Sequence, residues 1–307
     1  MNRELLLKNL NVPEERVDVI LDTDAFNELD DQFAIAYMLR SVEKLNTKAL
    51  YAAPFYNENS DGPADGMEKS YNEILKITEF MNEKTEVFRG SDKYLPDENT
   101  PVMSDAARDL AQRAMNYTPE NPLYVVAIGA ITNIASAMLI NPDICERIVV
   151  VWLGGHALHW ENTKEFNMYQ DIAAARVVMS SEAPFVQLPC MGVVSEFRIS
   201  EPELEFWLMG KNAIANYLAE NTINVVNSYA KGTAWTRVIW DVTAVAWLLN
   251  DNERFMHTRI IPTRLPEYSG VYSETAIDKP MCYAYMIERD NLMTDLVEKL
   301  SGDGHDK

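Results

Sequence analysis

The stretch VDVILDTDAFNELDDQFAIAYMLRSV, residues 17–42, carries more information than any other in the chain. Val17 to Thr23 is a short, β-branched apolar run and reads as a buried strand. From Asp31 to Val42 the apolar residues recur with helical spacing. Working outward, Ala49–Ala53 reads as a second strand, Met67–Met81 and Asp105–Asn116 as helices, and Leu123–Ala127 as a strand. Gly129 and a helix from Thr132 follow. Ile148–Trp152 is a strand ending in Gly154-Gly155, Ile172–Ser180 a helix and Phe185–Leu188 a strand. This alternation predicts an α/β fold, with a mostly parallel central sheet covered by helices on both faces in an open, doubly wound arrangement. After Pro202 the pattern turns mainly helical, with Ala213–Tyr229, Asp241–Leu249 and Leu292–Leu300. Ser200 followed by Pro202 marks a helix start. The tail Ser301–Lys307 is polar and is expected to fray. No repeat, low-complexity linker or composition break divides residues 1–307, so a single domain is expected.

Composition narrows the partners. The chain has 307 residues, 47% hydrophobic, and a formal net charge of −20. A core of this size needs no disulfide or metal to fold. The acidic balance argues against nucleic acid or an anionic membrane as partner, because both attract basic surfaces. It leaves small neutral substrates open. Cys145, Cys190 and Cys282 are few, widely spaced and free of any CxxC pattern, which predicts buried reduced thiols and a cytoplasmic setting. No apolar run approaches the length of a membrane span, and no signal-like segment follows Met1.

Within the opening stretch, Asp22 and Asp24 stand two apart at the end of the strand, a spacing that puts them on one face. Asp30 and Asp31 fall where the helix should begin, where they can cap free N–H groups and meet the positive end of the helix dipole. The plainest reading is one capping aspartate among polar loop residues. The chemical reading is a convergence at the carboxyl edge of a parallel sheet, where open α/β folds bind ligands. Clustered carboxylates repel unless a cation sits among them. All-oxygen ligands favour Ca²⁺ or Mg²⁺ over zinc, and the four histidines show no zinc spacing. An Asp-x-Asp after a strand also opens the haloacid dehalogenase phosphatases, in which Asp22 would be the nucleophile. The Ala25-Phe26 that follows here, with an acidic pair directly after, disfavours that chemistry.

The Asp22-Thr23-Asp24…Asp30-Asp31 opening resembles the nucleoside hydrolases, and four later segments match in order. Gly129-Ala130-Ile131-Thr132-Asn133-Ile134-Ala135 is similar to the family's G-P-L-T-N-[I/L]-A, and Gly154-Gly155 to its glycine pair. Glu165-Phe166-Asn167 with Asp171 and Ala173-Ala174 is similar to E-F-N…D…A-A. Trp240-Asp241-Val242-Thr243-Ala244-Val245-Ala246 is similar to H-D-P…A-V-A. The resemblance implies hydrolysis of the N-glycosidic bond of a ribonucleoside at a Ca²⁺ centre, in nucleoside salvage, by a homodimer or homotetramer. It implies that Asp24, Asp31 and Asp241 ligate Ca²⁺ through side chains and Thr132 through its carbonyl, with Asp22 supporting them from behind. Asp24 would take the proton of the metal-bound water. Asp30, Asn167 and Asp241 would contact the ribose, Glu165 would hold its 5′ side, and Asn57 would be a further ribose contact.

The chain departs from the family pattern in three places. Five residues separate Asp24 from Asp30 where three are usual, so this loop must bulge, and Glu28 inside it is either an added site carboxylate or an exposed loop residue. Trp240 replaces a histidine proposed to protonate the leaving base, and either stacks on the base or belongs to the core. His159 replaces an asparagine and reads equally as a 5′-hydroxyl contact, an acid, or a surface histidine. Trp240 keeps open a ribose- or nucleoside-binding protein without turnover. Tyr229, Trp235 and Arg237 lie in the stretch before Asp241, where a base would be covered.

Overall fold

A computed structural model describes residues 1–302. Ten strands are present among the described residues: β1 (Val17–Thr23), β2 (Leu45–Ala52), β3 (Glu86–Arg89), β4 (Leu123–Ala127), β5 (Ile148–Leu153), β6 (Phe185–Leu188), β7 (Arg198–Ser200), β8 (Thr236–Val238), β9 (Met256–Pro262) and β10 (Pro280–Ile287). Eight of them form one sheet in the order β3-β2-β1-β4-β5-β6-β10-β9, and β7 with β8 makes a separate two-stranded ribbon. All pairings in the large sheet are parallel except β9 against β10.

β1 explains the sheet. In Val17–Thr23, Val19 and Leu21 point into one apolar layer and Ile20 into the other. A strand buried on both faces reads as a continuous apolar run. The first layer is covered by the helices Asp30–Arg40, Val242–Trp247 and Arg289–Ser301, the second by Asp105–Arg113, Thr132–Ile140 and Ile172–Ser180. The chain runs outward from β1 through β2 to β3, then returns to β4 on the other side of β1. The strand order therefore reverses between β1 and β4, and a crevice opens there at the carboxyl ends of the strands.

Helices predominate after Pro202, as expected, but β9 and β10, which the sequence pattern does not reveal, extend the sheet, and β8 pairs with β7 in the ribbon. β10 (PMCYAYMI) alternates weakly, because it is buried on both faces over Met281–Ala284, so its period of two is blurred. The short β3 and the helix Arg3–Asn9 also escaped the sequence pattern. Finally, no aspartate side chain caps the helix Asp30–Arg40; Leu29 occupies the capping position without a side-chain bond. Asp30 and Asp31 still sit in its first turn, stabilised by the dipole. The expectation for the tail falls mostly on residues 303–307, outside the described residues. Cys145, Cys190 and Cys282 are free and buried. No helix among the described residues is long and apolar enough to cross a membrane.

Candidate active site

The carboxyl end of β1 and the starts of two helices place five aspartates together. Asp22, Asp24, Asp30, Asp31 and Asp241 are all buried, none more than 4% exposed. Ligand oxygens of Asp30, Asp31 and Asp241 lie within 4.8 Å of one another, a grouping able to hold a metal ion. Asp24 lies against the group, and after burial its strongest influence is the charge of Asp31. The long Asp24–Asp30 spacer does bulge: Asn27 N–H turns back to the Asp24 carbonyl at 2.7 Å, Phe26 is exposed, and Glu28 lines the neighbouring cavity. The bulge keeps Asp30 and Asp31 beside Asp241 although those residues are about 210 positions apart in sequence.

Each aspartate is held by a specific neighbour. Thr23 Oγ1 donates to Asp31 at 2.5 Å. The backbone N–H of Trp240 donates to Asp30 at 3.0 Å. Asn133 Nδ2 donates to Asp22 at 2.7 Å, while its own Oδ1 receives Ser91 N–H at 2.7 Å. One oxygen each of Asp22, Asp24 and Asp30 is buried with no hydrogen-bond partner among the described residues. Such orphans are costly unless a cation or ligand meets them. Burial is the main cause that raises every one of these carboxyls. It takes Asp22 to about 7, and with the Asp30 charge it takes Asp31 to about 8. Asp24 and Asp241 rise well above the ordinary carboxylate range by burial and then by neighbouring carboxylates. These observations fit a divalent cation held by oxygen ligands.

Beside this cup lies a cavity of about 220 Å³, whose walls include Asn27, Asp30, His156, Glu165, Trp240 and Asp241. Trp240 is half-buried and faces it. Glu165 lines it, but its oxygens already accept the N–H groups of Gly155, Asn167 and Met168 at 2.8–3.0 Å, which caps the helix Phe166–Gln170. Asn167 also lines it and spends its amide N–H groups on the carbonyls of Ile128 and Leu153, at 3.1 and 3.0 Å. Thr132 starts the helix after β4, and its hydroxyl donates to Asp171 at 2.7 Å. Asn57 is not in the cavity wall; it reaches the site through Asn27, to which it donates at 2.6 Å. His159 is exposed beside Gly192 and lies off the cavity. Asp22, like Asp24 and Asp31, is not part of the cavity wall, and Asn133 holds one of its oxygens.

Sequence reasoning overlooked Asn133, which orients Asp22, and His156, the histidine that does face the cavity. His156 Nδ1 accepts Met191 N–H at 3.3 Å, and burial lowers its proton affinity. Its signal was available: it directly follows Gly154-Gly155 at the carboxyl end of a strand. Gly155 adopts φ +75°, and a Cβ there would meet the Tyr272 hydroxyl at 2.3 Å, so this turn needs glycine. At Gly129 a Cβ would stand 2.9 Å from Asp24 Oδ1 and 3.0 Å from the Ala53 Cβ. Gly129→Ala is therefore expected to displace Asp24, cost about 1–3 kcal/mol of stability and weaken cation affinity; unchanged melting and calcium titration would remove Gly129 from the site.

Residues 19–280 match the family model described as inosine-uridine preferring nucleoside hydrolase. Among curated relatives, the pyrimidine-specific ribonucleoside hydrolase RihA of Citrobacter koseri is 27% identical over 161 residues, 50% of this chain and 51% of that protein. The chain thus spans about half the length of the curated relatives it matches. Among solved structures, a purine-preferring ribonucleoside hydrolase from Gardnerella vaginalis has a TM-score of 0.75 at 19% identity, covering 94% of this chain and 99% of that one. A plant nucleoside hydrolase has a TM-score of 0.72 at 18% identity, covering 93% and 99%.

Proposed function

The chain belongs to the inosine-uridine preferring nucleoside hydrolase family, and on that premise we propose that it hydrolyses the N-glycosidic bond of a ribonucleoside, releasing ribose and free base, with Ca²⁺ as its cation. The observation that carries this reading is the buried group Asp30, Asp31 and Asp241 beside Asp24, with orphaned carboxylate oxygens, opening on a cavity large enough for one small molecule. Asp24, Asp31, Asp241 and the Thr132 carbonyl would hold the cation; Ca²⁺ tolerates such a crowded oxygen shell. When bound, the ion supplies charge that acidifies water and anchors hydroxyl groups.

The chain's own residues do the rest. Asp24, ionised, accepts the proton of the attacking water. Asp30 and Asp241 face the cavity and bind ribose hydroxyls. Bond cleavage develops positive charge on the ribosyl ring, as in other glycoside hydrolyses, and the carboxylates fixed around it stabilise that charge without reorganising. Asn133 holds Asp22 behind the cup. Glu165 and Asn167 tie the wall after β5 to the strand ends, which fixes the shape of the 5′ side.

Trp240 lines the cavity and would stack on the base. Trp240→Ala is expected to raise KM or lower kcat for bases that stack well; steady-state kinetics unchanged for all bases would return Trp240 to a packing role. The reaction class is tested by measuring reducing sugar released from purine and pyrimidine ribonucleosides, with Ca²⁺ and then with a chelator. Chelator-sensitive release is expected. A protein that binds nucleoside and Ca²⁺ yet releases no ribose would be a binding protein, and the hydrolase reading would fall.

A further inference from the structure

This inference rests on the hydrolase reading and concerns what the ribose carries at its 5′ carbon. The wall on that side of the cavity is built from residues 153–167. Glu165 stands in it but has nothing left to offer a hydroxyl. Its two oxygens accept the N–H groups of Gly155, Asn167 and Met168, and the Cys190 thiol as well. A carboxylate has about four lone-pair sites, so Glu165 is full. Asn167, whose amide N–H groups are also committed, keeps its carbonyl oxygen for a ribose hydroxyl. The rest of the polar wall consists of donors, because Lys164 and His156 both line the cavity. His156 Nδ1 accepts Met191 N–H at 3.3 Å, which leaves Nε2–H as the ring's donor. Tyr272 braces the same turn by donating its hydroxyl to the His156 carbonyl at 3.0 Å. Lys164 is fixed along its length. Its N–H donates to Asn162 Oδ1 at 2.9 Å, and its stem lies so close to Gly270 that a Cβ there would meet Lys164 Cε at 2.8 Å. The ammonium is exposed, at the cavity mouth, and has no hydrogen bond or ion pair among the described residues. The acids around it are taken: Glu28 by Arg237, Asp30 and Asp241 by the cation cup, Glu165 by backbone. The net charge of −20 opposes an anion at long range, where salt screens it; in the cavity wall the unpaired charge is Lys164.

We propose that the preferred substrate is phosphorylated at the 5′ position: a nucleoside 5′-monophosphate whose phosphate pairs with the Lys164 ammonium and accepts His156 Nε2–H. A donor-only wall suits an acceptor-only group. A phosphate at the mouth keeps part of its water, so the pairing does not carry the cost of full desolvation. The phosphoester takes no part in the reaction. Water adds to C1′, the C1′–N bond breaks with its electron pair going to the base, and ribose 5-phosphate leaves in place of ribose.

The test compares inosine and uridine with their 5′-monophosphates as substrates, and ribose with ribose 5-phosphate as ligands in calorimetry. The wild type is expected to hydrolyse the nucleotides with a kcat/KM about tenfold or more above that of the nucleosides, the scale of one charged hydrogen bond. It should bind ribose 5-phosphate more tightly than ribose by a similar factor. Lys164→Met should bring both ratios to within about threefold of unity, acting through KM. Lys164→Arg keeps the charge and should retain most of each ratio. His156→Phe should lower both ratios about threefold, the smaller share of a neutral donor. A nucleotide preference that survives Lys164→Met overturns the inference, because the phosphate is then held by the cation. Ratios unmoved by His156→Phe overturn the two-donor site. A wild type that favours the nucleosides, or treats both alike, overturns the inference and leaves the hydrolase reading standing. A wild type that releases base from none of the four compounds overturns the hydrolase reading itself, and this inference with it.

Discussion

Replacing Asp24 by asparagine is expected to abolish turnover while leaving the fold intact. Asp24 is buried at the end of β1, has one oxygen with no hydrogen-bond partner, and packs against Gly129 and Asp31. Asparagine keeps the volume but cannot accept the proton of water, so kcat should fall by about 1,000-fold or more, within the range for losing a general base. The same change removes one carboxyl from a group whose members repel one another. In the presence of chelator at pH 8, Asp24→Asn should therefore melt no lower than the wild type, since the repulsion it relieves is greatest where the carboxyls ionise. Turnover near the wild-type rate would remove Asp24 from the mechanism. A collapse of the fold would mean that it serves the structure instead.

The second large effect is a dependence of stability on pH that reverses when the cation is taken away. An unfolded aspartate titrates near 3.9. In the folded, cation-free chain, burial holds Asp22 at about 7, and burial with the Asp30 charge holds Asp31 at about 8; Asp24 and Asp241 are raised as well. Between about pH 4 and pH 8 the folded state therefore binds more protons than the unfolded state. Stability must fall as pH rises through that window. Chelated protein is expected to lose about 5 °C or more in Tm between pH 5 and pH 8, at roughly 2–4 °C for each kcal/mol. On the proposal that Ca²⁺ binds the ionised cup and not the unfolded chain, its addition is expected to raise Tm strongly at pH 8 and little at pH 5. Thermal melts over a pH series, with chelator and with Ca²⁺, measure both. A chelated Tm that is flat or rises with pH would show that the five aspartates do not carry these protons.

The legibility of the fold followed burial. β1, β4 and β6 were read to the residue because they are short apolar runs with both faces covered. β9 and β10 were missed for opposite reasons. β9 is the sheet's edge and carries exposed polar residues such as Arg259, so it lacks an apolar signature. β10 follows a long irregular stretch that offered no helix–strand alternation. In the site, clustered aspartates at a strand end were legible because their mutual repulsion demands a reason. The distinction between His156 and His159 was not. Both stand in one short turn, and which of them faces inward depends on how the backbone reverses at Gly155, a matter of φ rather than of residue type. The double use of Glu165 and Asn167 as backbone braces was equally hidden, since their partners are main-chain groups that every sequence supplies.

The joining of Asp30 and Asp31 to Asp241 across some two-thirds of the chain has a consequence for how the protein is made. A ribosome delivers four of the five aspartates together, about 210 residues before Asp241 emerges. β10, which flanks β6, emerges later still. During that interval the nascent chain carries a run of acid with nothing to complete its cage. A cation bound at the proposed site cannot seed this fold from β1; it can only lock the product once the late segments have docked. Refolding from denaturant should accordingly proceed at a rate insensitive to Ca²⁺, while unfolding slows as Ca²⁺ is raised.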